Sequence, residues 1–183
     1  PDYDPVPITV RSFEVFPAVE MGYAYDSNIF AQKNDTTDDH LATLRPAVSV
    51  FSNWNRHAFA ATAFGDLNFF TGNPDENAAL FVTGLQGRYD IMPQTWLAGR
   101  LGYQHLVEPR SSANDAGGSE PTTFNVSRGG LTAYRGIGKV KLEGMYDLAR
   151  YFYNDTPSSL GFIDQSFRDR TYHELGGKVV YDL

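Results

Sequence analysis

Hydrophobic and polar residues alternate with a period of two along most of this chain. Around the segment GRYDIMPQTWLAGRLGY, Leu85 and Tyr89 share the odd-numbered positions before a proline, and Leu97 and Leu101 share them after it. Alternate side chains of a β-strand point to the same face, whereas a helix repeats every three to four residues. The pattern therefore predicts two strands that are joined by a tight turn at IMPQT.

The same alternation recurs along the chain and predicts about eight strands in all. Besides this hairpin, the predicted strands are 13–25, 41–51, 57–69, about 124–135, 139–153 and 170–182. In the first of them Val19, Met21 and Tyr23 share one face, and Glu20 shares the other face with small residues. The alternation in 124–135 is irregular, and its faces cannot be assigned from the sequence.

Strand length and loop length together predict an antiparallel, up-and-down transmembrane β-barrel. Strands of globular proteins average about 5–6 residues, whereas these are roughly twice as long and match the 9–11 residues of a membrane-spanning strand. The longest connections are DSNIFAQKNDTTDDH, EPRSSANDAGGSEPTT and NDTPSSLGFIDQSFRD, and the short ones are SNWNRH, IMPQT and GIG. FTGNPDEN, of medium length, lies between SNWNRH and IMPQT. Longer and shorter connections therefore alternate along the chain, as do the long extracellular loops and short periplasmic turns of outer-membrane barrels.

This arrangement assigns an environment to each part of the chain. The apolar face of each strand is expected to meet lipid, and the polar face is expected to meet the barrel interior. Residues 1–12 are predicted to be a periplasmic N-terminal tail, and residues 13–183 are predicted to form the barrel or its N-terminal half. Residues 114–120 carry no large apolar side chain, so we expect them to be flexible and extracellular.

Composition supports the barrel and excludes some other classes. The net charge of −7, from 15 basic and 22 acidic residues, disfavours a nucleic-acid partner. The 11 tyrosines and 13 phenylalanines lie largely in the strands, and several tyrosines lie near strand ends, as in the aromatic girdles of membrane barrels. The general preference of aromatic residues for strands is an alternative explanation. The absence of cysteine excludes disulfides and thiolate chemistry.

Catalytic and metal-binding patterns are weak, and we expect neither enzymatic activity nor a cofactor. The histidines are dispersed without metal-ligand spacing: His40, His57, His105 and His173. Carboxylates of the first long loop, which include Asp35, Asp38 and Asp39, could hold calcium, but EF-hand spacing is absent and solvated loop carboxylates are the better interpretation. The GxSxG motif of serine hydrolases is also absent.

Three segments of the chain carry a resemblance to a known family. YDPVPITVRSFEVFPAVEMGYAYDSNIFAQ, LRPAVSVFSNWNRHAF and GRYDI resemble an outer-membrane, porin-like β-barrel family of proteobacteria, some of whose members accompany exopolysaccharide biosynthesis genes. The likeness is specific over residues 3–91 and looser beyond them. Family members are about twice as long, which implies a barrel of roughly sixteen strands. The end at VVYDL, without a terminal aromatic residue, favours the expectation that this chain is the N-terminal half.

The predicted function is a porin-like channel of the bacterial outer membrane, for passive solute passage or polysaccharide export. Eleven charged residues on the predicted interior face would line it: Glu14, Glu20, Arg45, Asp66, Arg88, Arg100, Glu143, Asp147, Arg170, Glu174 and Lys178. Rings of charge set the solute preference of such pores. The expected partners are the lipid bilayer and lipopolysaccharide; a homo-oligomer and a polysaccharide or periplasmic partner are left open.

Two other functions remain alternatives. In the first, the same charges neutralise one another across strands and fill a narrow interior, and a small structural or adhesive barrel acts through its extracellular loops. In the second, the chain is a soluble β-sandwich or a lipocalin-like binding protein. Dependence on detergent would separate either barrel from the soluble alternative.

Overall fold

The computed structural model describes residues 6–182, which consist almost entirely of antiparallel strands and the connections between them. The strands are β1 (Ile8–Val10), β2 (Phe13–Asp26), β3 (Asp39–Ser52), β4 (Ala58–Phe70), β5 (Ala78–Met92), β6 (Thr95–Val107), β7 (Thr123–Ile137), β8 (Val140–Tyr153), β9 (Thr156–Ser158), β10 (Gly161–Ile163) and β11 (Arg170–Tyr181). Two single-turn 3₁₀ helices, Pro74–Glu76 and Ser166–Arg168, lie in connections. No helix within residues 6–182 has the length and apolar character to cross a membrane.

Nine strands form one sheet in the order β1-β2-β3-β4-β5-β6-β7-β8-β11, and every neighbouring pair is antiparallel. The small β9–β10 hairpin lies in the connection between β8 and β11. The sheet is not closed, because β1 and β11 each pair on one side only within the described residues. The predicted all-β, up-and-down architecture with about eight long strands is therefore confirmed.

The connections differ in length at the two ends of the sheet. The turn end carries residues 11–12, 53–57, 93–94 and 138–139, whereas the loop end carries residues 27–38, 71–77, 108–122 and 154–169. In the two-residue turns, Arg11, Gln94 and Gly138 have φ of 55°, 58° and 58°. Such positive values match the twist of tight hairpins. The predicted alternation of short and long connections is thus present in the structure.

The N-terminal segment contributes to the sheet. Of the tail predicted over residues 1–12, the part from Ile8 to Val10 pairs with β2, with Ile8 opposite Val15. Residues 1–5 and 183 lie outside the described residues. The sheet therefore begins before Phe13, where the sequence pattern places the start of the first strand.

Cross-strand partners share a face, so the register defines two faces of the sheet. The apolar face carries Val19, Leu44, Leu67, Leu85, Leu101, Leu131, Leu148 and Leu175. Many of its side chains are exposed, including Leu101 at 64% and Leu175 at 85%. The polar face carries most of the charged residues. Within residues 6–182 the only buried hydrophobic residues are Ile29, Ala60, Val126 and Tyr153, so this sheet has almost no core of its own.

The register also assigns the faces of β7, which the sequence pattern leaves open. The apolar face includes Leu131 and Ala133 and also Asn125 and Ser127, because each of these residues pairs with an apolar-face residue of β6. Val126 lies on the polar face and is only 1% exposed, near the loop end. Polar and apolar residues exchange faces near this end of β7, and this exchange explains the irregular alternation.

Candidate functional site: the polar face and the loop layer

The sheet places all eleven charged residues that were predicted to line a pore on the polar face. The register shows this directly where Glu20 pairs with Arg45, Asp147 with Glu174, and Glu143 with Lys178. The same face carries glycines and alanines that leave room above the sheet, such as Ala60 and Gly130. The structure shows that the eleven charged residues share one face, whereas their role in lining a pore stays a prediction.

Arg45 links three neighbouring strands on this face. Its Nη1 lies 2.7 Å from Glu20 Oε1 on β2, and its Nε lies 3.2 Å from Asp66 Oδ2 on β4. The side chains of Arg45 and Glu20 are 37% and 69% exposed. Solvent screens exposed pairs and they contribute little to stability. Their main effect is to fix where positive and negative charge lie on the face.

A second ion pair spans a whole strand. Arg100 on β6 reaches across β7 to Asp147 on β8, with 2.5 Å between Nη2 and Oδ1. It passes over Gly130, where a Cβ atom would lie only 2.6 Å from Arg100 Nε and closer still to Asp147 Oδ1. A side chain at position 130 would therefore displace the guanidinium. Glycine at this position gives the arginine access to the far strand.

The remaining predicted charges are not joined into one network. Arg88 pairs with Asp90 at 2.6 Å and lies over the ring of Trp96, and Arg170 lies over the ring of Tyr151. Among residues 6–182, no ion pair joins Glu143 to Lys178 although they are cross-strand partners. Sequence reasoning omitted five charged residues of the polar-face strands from the predicted lining: Asp26, Asp39, Asp90, Lys141 and Arg128. Strict alternation would have found the first four, whereas Arg128 lies on the irregular strand.

The connections at the loop end pack on one another, and we call residues 27–38, 71–77, 108–122 and 154–169 the loop layer. Its central ion pair joins Arg110 to Glu76, with 2.8 Å from Nε to Oε2 and 2.5 Å from Nη2 to Oε1. The two side chains are 8% and 5% exposed. Hydrogen bonding to Glu76 raises the pKa of Arg110. The ring of Phe30 lies 5.9 Å from the guanidinium, so three of the four connections meet there.

A second ion pair, largely buried, joins the third connection to the fourth. Arg168 Nη1 lies 2.9 Å from Glu108 Oε2, and Arg168 also stacks over the ring of Tyr153 at 4.1 Å. Burial acts to raise the pKa of Glu108, but hydrogen bonds from Arg168 and Ser112 outweigh burial, and the pKa lies below its ordinary value. Glu108 is therefore held as a carboxylate inside the loop layer.

The segment 114–120, expected to be flexible, has its C-terminal part tied to the fourth connection. Ser119 N donates to Pro157 O at 2.8 Å, and Gly118 O accepts a hydrogen bond from Arg110 at 3.0 Å. The hydroxyls of Thr122 and Thr156 lie 2.7 Å apart and are fully buried. We expected flexibility because the segment lacks large apolar residues. That criterion misses these contacts, since backbone groups take part in most of them.

Asp39 also differs from the expectation of a solvated loop carboxylate. It is 5% exposed and accepts hydrogen bonds from the backbone of His40, Gly72 and Asn73 and from the side chains of Thr71 and Asn73. Asp39 is therefore a structural anchor of residues 71–73. Among residues 6–182, no three His, Asp or Glu side chains lie where they could hold a metal ion.

Two depressions lie within these regions. One of about 410 Å³ on the polar face is lined by Phe51, Ala60, Gln86, Arg88, Arg100 and Thr132. The other, of about 450 Å³, lies between connections of the loop layer and is lined by Phe30, Asn73, Glu76, Arg110, Asp115 and Ser119 among others. The first is open along the polar face. The second places polar and charged groups at the loop end.

Comparison with known proteins gives one family match. A protein family model described as "Putative beta-barrel porin 2" matches residues 1–183. No curated protein and no solved structure matches the chain. The match covers the second half of the chain as well as the segments in which the sequence motifs are specific.

Proposed function

The chain belongs to this family of β-barrel porins, as its sequence motifs indicated, and from that premise we propose that it forms a water-filled pore in the bacterial outer membrane. Small polar solutes would cross the membrane along the polar face. Export of a polysaccharide is a narrower form of the same proposal. The single observation that carries it is the separation of the two faces, with eleven predicted charges on one and exposed large apolar side chains on the other.

The exposed side chains of the apolar face support the proposal that this side of the sheet lies in lipid. Exposed leucine and valine side chains at 64% to 85% would be costly in water, and with only four buried hydrophobic residues among 6–182 the sheet cannot cover them itself. A strand of 14 residues such as β8 is about 46 Å long, and at a tilt of about 40° it rises about 35 Å. This rise exceeds the apolar band of about 25 Å that outer-membrane barrels present.

The polar face supports an aqueous interior. Its ion pairs leave much of each side chain exposed, and carboxylates and guanidinium groups both occur along it. Charges that line a pore act on passing ions only where solvent reaches them. Because both signs are present, we expect modest ion selectivity.

Single-channel recording from planar bilayers tests the proposal. The full polypeptide should conduct in discrete steps. In the double variant Arg45→Gln/Arg100→Gln, the carboxylates of Glu20, Asp66 and Asp147 lose their positive partners. The reversal potential should therefore shift toward cation selectivity. Arg135→Gln is the matched control, because Arg135 lies on the apolar face opposite Leu142, and it should leave selectivity unchanged. A folded, inserted protein that never conducts would refute the pore.

One observation favours the alternative of a structural or adhesive barrel. The loop layer is held by one buried and one largely buried ion pair and offers a polar cleft of about 450 Å³, as a preformed recognition surface would. Cells that produce the protein would then bind a surface or a glycan, and Arg110→Met, which disrupts the layer, would abolish that binding without changing conductance.

A further inference from the structure

An apolar groove of about 540 Å³ lies on the apolar face over β5 to β8. Its floor is formed by Gly87, Gly99 and Gly129 on three adjacent strands, and its walls include Leu85, Leu101, Leu131, Tyr146 and Leu148. The three glycines have no positive φ, and a Cβ atom on any of them would meet nothing closer than 3.6 Å. Backbone conformation and packing therefore do not require glycine there, and the missing side chains leave the groove open.

A row of three polar side chains borders the groove toward the loop end. Ser127 on β7 pairs with Arg150 on β8, and Arg150 pairs with Thr171 on β11, so the three lie side by side on the apolar face. The next row toward the turn end contains the groove residues Gly129 and Leu148. Side chains of such partners lie about 5 Å apart. Arg150 is thus flanked by Ser127 and Thr171 at the edge of the groove nearest the loop end.

The row is exposed and not engaged with the protein. All three residues are exposed, and within residues 6–182 none of their side chains makes a hydrogen bond or an ion pair. Neighbouring polar groups on this face are paired instead: Tyr103 donates to Asn125 Oδ1 at 2.8 Å, and the Tyr146 hydroxyl lies 2.8 Å from His173 Nδ1. The row therefore presents its hydrogen-bond donors outward.

The position of the row along the strand matches the depth of lipid headgroups. Arg150 lies three residues before the end of β8 at Tyr153, which is about 10 Å along the strand. A lipid-facing arginine costs little near the interface and much more at the midplane, and its long side chain can reach toward the headgroups. The groove, in contrast, extends toward the turn end and the centre of the sheet.

We propose that the groove and the row together bind one phosphate-bearing lipid of the leaflet at the loop end, with its phosphate on Arg150, Ser127 and Thr171 and an acyl chain in the groove. This rests on the proposed function, because it requires the apolar face to lie in lipid. Charge complementarity selects the ligand: a guanidinium with flanking hydroxyls binds phosphate oxygens, and an apolar groove binds hydrocarbon. The groove volume lies within the range of about 300–1,000 Å³ that is typical of small-molecule sites.

Native mass spectrometry of the full polypeptide in detergent, titrated with phosphatidylglycerol, tests the site. The wild-type protein should retain one lipid. Arg150→Gln removes the charge and should weaken lipid binding about ten-fold, the loss expected for a charged hydrogen bond. Gly99→Leu fills the groove floor and should weaken it as well. Arg135→Gln, which removes a charge from the turn end of the same face, should bind as the wild type does. Heat-modifiable gel migration establishes that each variant is folded.

Several outcomes would overturn the site. They are wild-type protein that retains no lipid, Arg150→Gln that binds as tightly as wild type, and an equal loss in Arg135→Gln, which would indicate unspecific charge attraction. Displacement of the lipid by glycerol phosphate at equal concentration would show that the acyl chain contributes nothing. A dimer that retains no lipid would place a second copy in the groove. Conductance is measured separately, so an inserted protein that binds lipid but never conducts would refute the pore and leave the site standing.

Discussion

The sheet and the loop layer use the same kinds of ion pair in opposite surroundings. On the sheet, Arg45 and Glu20 are 37% and 69% exposed, whereas Arg110 and Glu76 in the loop layer are 8% and 5% exposed. Exposed pairs are screened and contribute little stability, while a buried pair that loses one partner leaves an uncompensated charge. The comparison indicates that solvent reaches the charges of the sheet, and that those of the loop layer hold loops together.

The two regions also differ in what supports them. The sheet has almost no core of its own, and its apolar residues lie on a face that we propose is in contact with lipid. The loop layer obtains its order from hydrogen bonds and ion pairs between distant connections, as Asp39 does for residues 71–73. Removing one charge of a buried pair should therefore destabilise the loop layer. In the sheet, the damaging change should be the addition of a charge to the apolar face.

Loss of one partner of the central buried pair should damage the structure most. Arg110→Met should destabilise the closed loop layer by about 3–5 kcal/mol, because Glu76 would remain buried without its partner. Limited proteolysis and hydrogen exchange at residues 108–122 would measure the opening. Arg45→Met is the matched change in the exposed pair and should leave both the loops and the folding yield nearly unchanged. If residues 108–122 were equally protected from proteolysis and hydrogen exchange in both variants, the proposed difference between buried and exposed ion pairs would be refuted.

The next effect concerns the sheet. Val48 lies on the apolar face opposite Pro17, and Ser49 lies on the polar face opposite Thr62. Val48→Arg should cost about 2–4 kcal/mol if the site lies near the bilayer midplane, whereas Ser49→Arg should cost much less. Folding yield into lipid vesicles, scored by heat-modifiable migration, provides the measurement. Similar yields for the two variants would reject the assignment of the apolar face to lipid.

The smallest effect is a dependence of the loop layer on pH. The pKa of Glu108 is lowered in the folded protein, so its contribution to stability is present above the ordinary value of 4.5 and is lost as the pH falls through the folded value. The protection factors for hydrogen exchange at residues 108–122 should therefore fall as the pH is lowered below the ordinary value of 4.5. Glu108→Gln should open the layer at neutral pH and remove this part of the pH response. A response of equal size in that variant would assign it to other carboxylates.

Much of the fold could be predicted because strand alternation is a local property. The predicted ends of most strands lie within about two residues of the observed ones, and the turn at residues 93–94 lies inside IMPQT. The faces of β7 could not be predicted, since Asn125 and Ser127 lie on the apolar face and Val126 lies under the loop end. There the contacts with neighbouring strands and loops, not a uniform two-sided environment, determine which residues fit.

The candidate site was predictable in its chemistry but not in its pairing. Alternation was sufficient to group Arg100 and Asp147 on one face, but their contact depends on Gly130, which lies on the irregular strand between them. The role of Asp39 was predicted wrongly, because a run of loop carboxylates resembles solvated charge until the donors of residues 71–73 fold around one member. Whether the eleven charged residues line a pore stays a prediction that conductance will decide.

By itself the sequence determined the class of this protein: long antiparallel strands, one apolar and one polar side, and short turns opposite long loops, all of which follow from residues close together in the chain. Which distant residues meet depends on the folded arrangement of strands and loops. Arg110 and Glu76 are 34 positions apart, Arg168 and Glu108 are 60 apart, and the row of Ser127, Arg150 and Thr171 exists only because the register aligns three strands. The physical reason is that strand formation depends on local periodicity, whereas buried charge pairs and cross-strand rows depend on register and loop packing, which no local pattern specifies.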